Sequence, residues 1–200
     1  NYFLKNILAI QMDASASPGL EGNRFEYNGH NGITVSGTVT GQTTLASLGP
    51  RRWSYREDGN GFLVDQGGTL TLRAGTTFRF TSGGALRVKN GTLRIEGAAG
   101  SPVQLIPEKD DKRPGAWPEL MLDDGTTDYD PVSGSGSLSE HAEILYGGAS
   151  SGGAITVRNS SPRIQSTFIT QSGGRGITVT GAEARPQLIG NLIIDQRSDT

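Results

Sequence analysis

The sequence predicts an all-β chain wound as a solenoid: a right-handed single-stranded parallel β-helix of about nine coils, each of roughly 22–25 residues. Three observations predict it. Short strands alternate apolar and polar residues, glycine punctuates them, and segments of one pattern return at a nearly fixed interval.

The alternation is clearest in "GGTLTLRAGTTFRFTSGGALRVKNGTLRIEG", Gly67 to Gly97. Leu70 and Leu72, Phe78 and Phe80, Leu86 and Val88, then Leu93 and Ile95 take every second position, with Thr, Arg and Lys between them. A period of two puts the first set on a buried face and the second in water. Ala74-Gly75, Gly83-Gly84, Asn90-Gly91 and Gly97 stand where the chain must turn abruptly.

Strands this short suit either antiparallel hairpins or coils stacked in parallel, and the repeats decide between them. "PRIQSTFI" at Pro162 returns 24 residues later as "PQLIGNLI" at Pro186, and "NYFLKN" at Asn1 returns after 22 as "NRFEYN" at Asn23. "NGITVSG" at Asn31 is echoed by "GAITVRN" at Gly153 and "RGITVTG" at Arg175. Hairpins need no fixed period, whereas coils do.

Composition agrees with a narrow rod. Only 34% of residues are hydrophobic while 30 are glycine, which suits one thin core with many corners. A net charge of −2 implies no basic groove for nucleic acid. The absence of cysteine excludes disulfides and thiolate metal sites. "NYFLKNILAI" is too short to span a membrane and carries Lys5, so it reads as core-forming strand. The start at Asn1 suggests a processed or excised piece.

Three polar segments interrupt the coils. They divide the chain into terminal coils at 1–46, a connecting insertion at 47–61, and a second β-helix block at 62–200 with loop insertions at 107–119 and 123–140. "GTVTGQTTL", the Gly67 to Gly97 run continuing through "AAGSPVQLIPEKDD", "PGAWPELMLDD", "HAEILYGG" and "AITVRNSSPRIQSTFITQSGGRGITV" together resemble the right-handed parallel β-helix repeat proteins, of pectin-lyase-like fold, found on bacterial cell surfaces and in secreted multidomain proteins. The resemblance implies that residues 1–46 correspond to the end of a preceding block. It also implies a secreted or cell-surface location, and it speaks for architecture far more than activity.

The insertions hold the candidate site residues, because solenoid loops on the flank carry function most often. "DDGTTDYD" gathers Asp123, Asp124, Asp128 and Asp130 around a glycine, the oxygen-rich set a Ca²⁺ ion takes in loose geometry. The spacing is not that of an EF-hand, and a solvated polar turn is the plainer account. Trp53 and Tyr55, flanked by Arg51, Arg52 and Arg56, are the candidate glycan contacts, with Arg52 the cation beside the two rings. Trp117 reads instead as a loop anchor. Glu108, Asp110 and Asp111, interleaved with Lys109, Lys112 and Arg113, read as a solvated loop. His30 reads as an exposed corner residue and His141 as pointing outward; neither has a second histidine at ligand spacing.

Asp123-Asp124, His30 and Arg163-Ile164 distantly resemble polygalacturonase elements, but their order is wrong and coil spacing separates them. A row of threonines for ice binding is interrupted by Arg73, Arg79, Arg87, Lys89 and Arg94. The expectation is therefore a non-catalytic extracellular structural or adhesive segment that needs no cofactor unless Ca²⁺ binds. Its partners are expected to be further coils, through self-association or chain continuation at the terminal coils, where no amphipathic helix offers a cap. A carbohydrate-binding or polysaccharide-degrading module is the alternative.

Overall fold

The computed structural model describes residues 1–16, 18–50, 53–108, 112–149 and 152–195. Among them there is no helix, and three long sheets wrap around one core as a parallel β-helix. Sheet 1 holds Leu8–Asp13, His30–Ser36, Ser54–Glu57, Thr77–Phe80, Val103–Pro107, Ala142–Leu145, Phe168–Thr170 and Leu192–Ile194. Sheet 2 holds Thr38–Val39, Phe62–Val64, Leu86–Val88, Leu120–Leu122, Gly153–Arg158 and Arg175–Thr180. Sheet 3 holds Gln42–Leu45, Thr69–Arg73, Thr92–Glu96, Leu138–Glu140, Arg163–Gln165 and Gln187–Ile189. A small fourth sheet pairs Tyr2–Leu4 with Arg24–Glu26.

The chain passes from sheet 1 to 2 to 3 and returns to sheet 1 running in its original direction, so each strand pairs in parallel with its counterpart one coil away. The repeats read from the sequence are these pairings: Ile164 lies opposite Leu188, Phe168 opposite Leu192, and Phe3 opposite Phe25. The third echo is different. Gly32–Val35 belongs to sheet 1, whereas the similar segments at Gly153 and Arg175 are neighbours in sheet 2, because an Ile-Thr-Val run fits any strand with one buried face.

Eight strands in sheet 1 make about eight turns, close to the nine expected. Most turns take 22 to 25 residues, but Thr77 to Gln104 takes 27 and Gln104 to Glu143 takes 39, which uses up the residues of a ninth. Two of the expected insertions also contain strands. Ser54–Glu57, inside 47–61, pairs with both neighbours, so sheet 1 runs through the connection unbroken. Leu138–Glu140, inside 123–140, belongs to sheet 3 and closes that loop at Ser137.

Inward side chains stack in ladders. In sheet 1 Ile33, Tyr55, Phe78, Leu105, Ile144 and Ile169 follow one another, all essentially inaccessible. In sheet 2 Val39, Val64, Val88, Leu122 and Val157 do the same, and every inward residue expected between Leu70 and Ile95 is buried. Each such side chain contributes on the order of 1.5–3 kcal/mol on burial, which is how a lean sequence sustains a rod. Trp117 is buried and stacked 4.4 Å from Phe80, and its indole N–H donates to the Leu145 carbonyl at 2.9 Å, so it anchors its loop as expected.

The corner leading into sheet 1 has a repeated construction. Lys5, Tyr27, His141, Ser166 and Gly190 occupy equivalent places there, each with φ between 47° and 60°. The single left-handed residue lets two strands meet at a sharp angle. Asn28 and Asn191 clamp this corner to the coil before. The Asn28 amide donates to the Phe3 carbonyl at 2.9 Å and its oxygen accepts from the Asn6 backbone at 2.8 Å. Asn191 repeats both bonds on Ile164 and Thr167, at 2.9 and 3.0 Å.

Candidate functional site

The four aspartates of the candidate calcium loop do not converge. Asp123 directly follows the sheet 2 strand Leu120–Leu122, where its side chain is only 1% exposed, and it is bracketed by Arg87 from one coil and Arg158 from the other. Arg87 Nε donates to Oδ2 at 2.9 Å and Arg158 Nε to Oδ1 at 2.6 Å. Burial acts to raise the Asp123 pKa, but hydrogen bonds from Arg87, the Asp124 backbone and Arg158 outweigh it and hold the carboxyl below the usual carboxylate range.

Asp128 and Asp130 lie in the loop that follows. Asp128 accepts from the Ser161 backbone, and Asp130 accepts from the Val132 backbone at 2.9 Å and the Ser133 hydroxyl at 2.6 Å. Asp124 is exposed. The loop lies over sheet 3, where Arg94 donates to the Gly134 and Gly136 carbonyls at 3.0 Å and the Arg163 guanidinium covers the Tyr129 ring at 5.3 Å. Among the described residues no three His, Cys, Asp or Glu side chains gather as a metal site.

The candidate glycan contacts are turned inward. Tyr55 is 1% exposed in the sheet 1 ladder, its hydroxyl donates to the Ala46 carbonyl at 3.0 Å, and burial pushes its phenol up to about 12. Trp53 is buried edge-on against Phe25 at 5.7 Å. Neither ring offers a free stacking face. Arg52, with Arg51, Lys109, Asp110 and Asp111, lies outside the described residues. The alternation of Trp53, Tyr55 and Glu57 with Ser54 and Arg56 was the sequence signal for a strand here.

Two polar constellations went unread in the sequence. His30, expected to be exposed, is buried at the start of a sheet 1 strand with its Nε2 2.9 Å from the Ser54 carbonyl. Burial, together with the Arg56 charge, lowers its pKa to about 4 against the opposing pull of that hydrogen bond. Beside it Arg56 pairs with Glu108 and reaches the Thr34 hydroxyl at 3.3 Å, while Arg79 donates to the Ser54 hydroxyl at 3.1 Å and the Pro107 carbonyl at 3.0 Å. This cluster staples four coils together and contains no nucleophile aligned to a base.

The second is Glu57, an inaccessible carboxylate on a core-facing position between Val35 and Phe80. It accepts from the backbones of Thr81 at 2.6 Å, Gly59 at 2.5 Å and Gly61 at 3.3 Å, tying together two successive corners between sheets 1 and 2. Gly84 makes room for it, since a Cβ there would sit 1.9 Å from Oε1.

One open groove of about 570 Å³ runs along sheet 2, lined by Asn60, Leu63, Asp65, Arg87 and Lys89 among others. The carboxylates at hand are already engaged, Asp65 by the Asn90 amide at 3.0 Å and Asp123 by its two arginines. No protein family model, curated protein or solved structure matches this chain.

Proposed function

We propose that the chain is a non-catalytic structural segment, a rigid β-helical rod that serves as a stalk or adhesive spacer at a bacterial surface. The observation that carries this reading is the use to which the charged side chains are put. Asp123, Glu57, Glu108 and His30 each hold neighbouring coils or corners together, so the ionisable groups support the rod and do not converge on a reacting centre. The secreted or surface location follows from the resemblance of the coil motifs to surface β-helix repeat proteins.

The alternative, a glycan-binding or glycan-processing module, is favoured by the sheet 2 groove with its mix of Leu63, Asn60, Arg87 and Lys89. Antibody labelling of intact source cells, run alongside glycan-array binding and a reducing-end release assay, separates the two. Surface labelling without sugar release is expected. Release that disappears on substituting one groove carboxylate would overturn the structural reading.

A further inference from the structure

We propose that Asn90 is a site of spontaneous covalent modification, where the side-chain amide is lost through attack by the Gly91 backbone nitrogen. The arrangement that carries this is an exposed asparagine followed by a glycine whose N–H donates to no acceptor among the described residues.

The chain has four Asn-Gly pairs: Asn28-Gly29, Asn31-Gly32, Asn60-Gly61 and Asn90-Gly91. Glycine favours ring closure on the preceding asparagine in each, because without a Cβ its nitrogen is unhindered and its backbone turns freely. The product is an imide whose nitrogen carries no hydrogen, so closing the ring forfeits whatever bond that N–H was making. The fold separates the four pairs on this ground. Gly29 N–H donates to the Asn6 carbonyl at 2.8 Å, and the Asn28 amide is itself the corner clamp on Phe3. Gly61 N–H donates to Glu57 Oε2 at 3.3 Å. Gly32 lies inside the sheet 1 strand His30–Ser36, which pairs with a strand on either side, so a ring there would break the ladder.

Gly91 differs in both respects. It sits at the corner between Leu86–Val88 of sheet 2 and Thr92–Glu96 of sheet 3, outside either strand. Its carbonyl accepts from the Thr127 N–H at 2.8 Å, but its own N–H is an orphan on a buried residue, a cost that ring closure removes. The Gly91 nitrogen bonds to Asn90 Cγ, the Cγ–Nδ2 bond breaks, and the displaced amide nitrogen leaves as ammonia with the Gly91 proton. Water, which reaches the exposed Asn90, then opens the cyclic imide at either carbonyl to give aspartate or isoaspartate.

The change falls on a contact between coils. The Asn90 amide donates to Asp65 Oδ1 at 3.0 Å, and the Asn90 carbonyl accepts from the Gly67 N–H at 2.6 Å. Aspartate sets a second carboxylate against Asp65, and isoaspartate also lengthens the backbone at the corner. Asp65 and Lys89 border the sheet 2 groove, so the product adds negative charge at its rim.

Peptide mapping by mass spectrometry tests this on the whole chain aged at mildly alkaline pH, folded and in urea. In urea the four pairs are expected to convert at similar rates. In the folded chain Asn90 is expected to convert about tenfold faster than Asn28, Asn31 or Asn60, the difference that one retained hydrogen bond makes. Isoaspartate should accompany aspartate at Asn90, and Asn90→Gln should suppress the acid there while the other three pairs keep their rates. Conversion at Asn90 no faster than at the other pairs in the folded chain would overturn the assignment. Aspartate without isoaspartate would overturn the route through Gly91.

Discussion

His30 gives the most specific prediction at the scale of a single residue. Its folded pKa is about 4 against an ordinary value of 6.5. Above pH 6.5 the imidazole is neutral in folded and unfolded chain alike. As the pH falls from 6.5 towards 4 the unfolded chain takes a proton that the folded one refuses, so stability drops by up to about 3 kcal/mol over that window. Urea unfolding at pH 7, 5.5 and 4.5 should show this loss, and His30→Gln should remove most of it. Asp123 works in a lower window, because its folded pKa is depressed. The stability it contributes is present above the ordinary carboxylate value and is lost as pH falls through the lowered one. Asp123→Ala leaves Arg87 and Arg158 facing each other without their shared carboxylate. It should cost about 1–2 kcal/mol, a modest figure because both guanidiniums are half exposed to solvent. These burials were not legible in the sequence. A histidine among Gly and Asn, or an aspartate in an acidic run, reads as a turn, and only the coil above and below turns it inward.

The ladder is the unit at the scale of elements, and it was largely legible. A two-residue period determines which side chains enter the core, so Leu70 through Ile95 could be assigned before any coil was placed. Strands that carry polar residues on inward positions could not. Ser54–Glu57 places a glutamate there, and Leu138–Glu140 places Ser139 where its ladder neighbours are Ile95 and Ile164. A small void remains beside Ser139, bordered by Leu93, Leu122 and Ile155. Ser139→Val should fill it and raise stability by about 1 kcal/mol, read as a higher unfolding midpoint. The Ser139 hydroxyl gives up only a 3.3 Å contact with Thr167, which keeps its 3.1 Å bond to the Gln165 carbonyl. Ile95→Asp tests the same ladder from the other direction. An unpaired charge in a dry core should cost at least about 4 kcal/mol, and an unchanged melt would count against the inward assignment.

For the whole molecule, length comes from nearest-neighbour contacts between coils, and the outward surface is spent on holding loops and corners. The repeat periods made the solenoid readable because parallel stacking forces equivalent residues into register. The expected count of about nine turns comes close to the eight observed, and the difference arises because a loop's length leaves no trace in a strand pattern. The surroundings of the candidate site residues were not legible for a related reason. Asp123, Trp53 and Tyr55 are polar or aromatic residues near insertions, and whether such residues face solvent depends on contacts made between coils. With Asp123, Asp128 and Asp130 each engaged separately, chelation of calcium is expected to leave the unfolding midpoint unchanged. The most direct test of the account is a reducing-end release assay of the purified chain on a panel of polysaccharides. No release is predicted, because the charged groups are engaged in holding coils and corners together. Release that Asp65→Asn abolishes would contradict the structural reading and make the sheet 2 groove the functional surface.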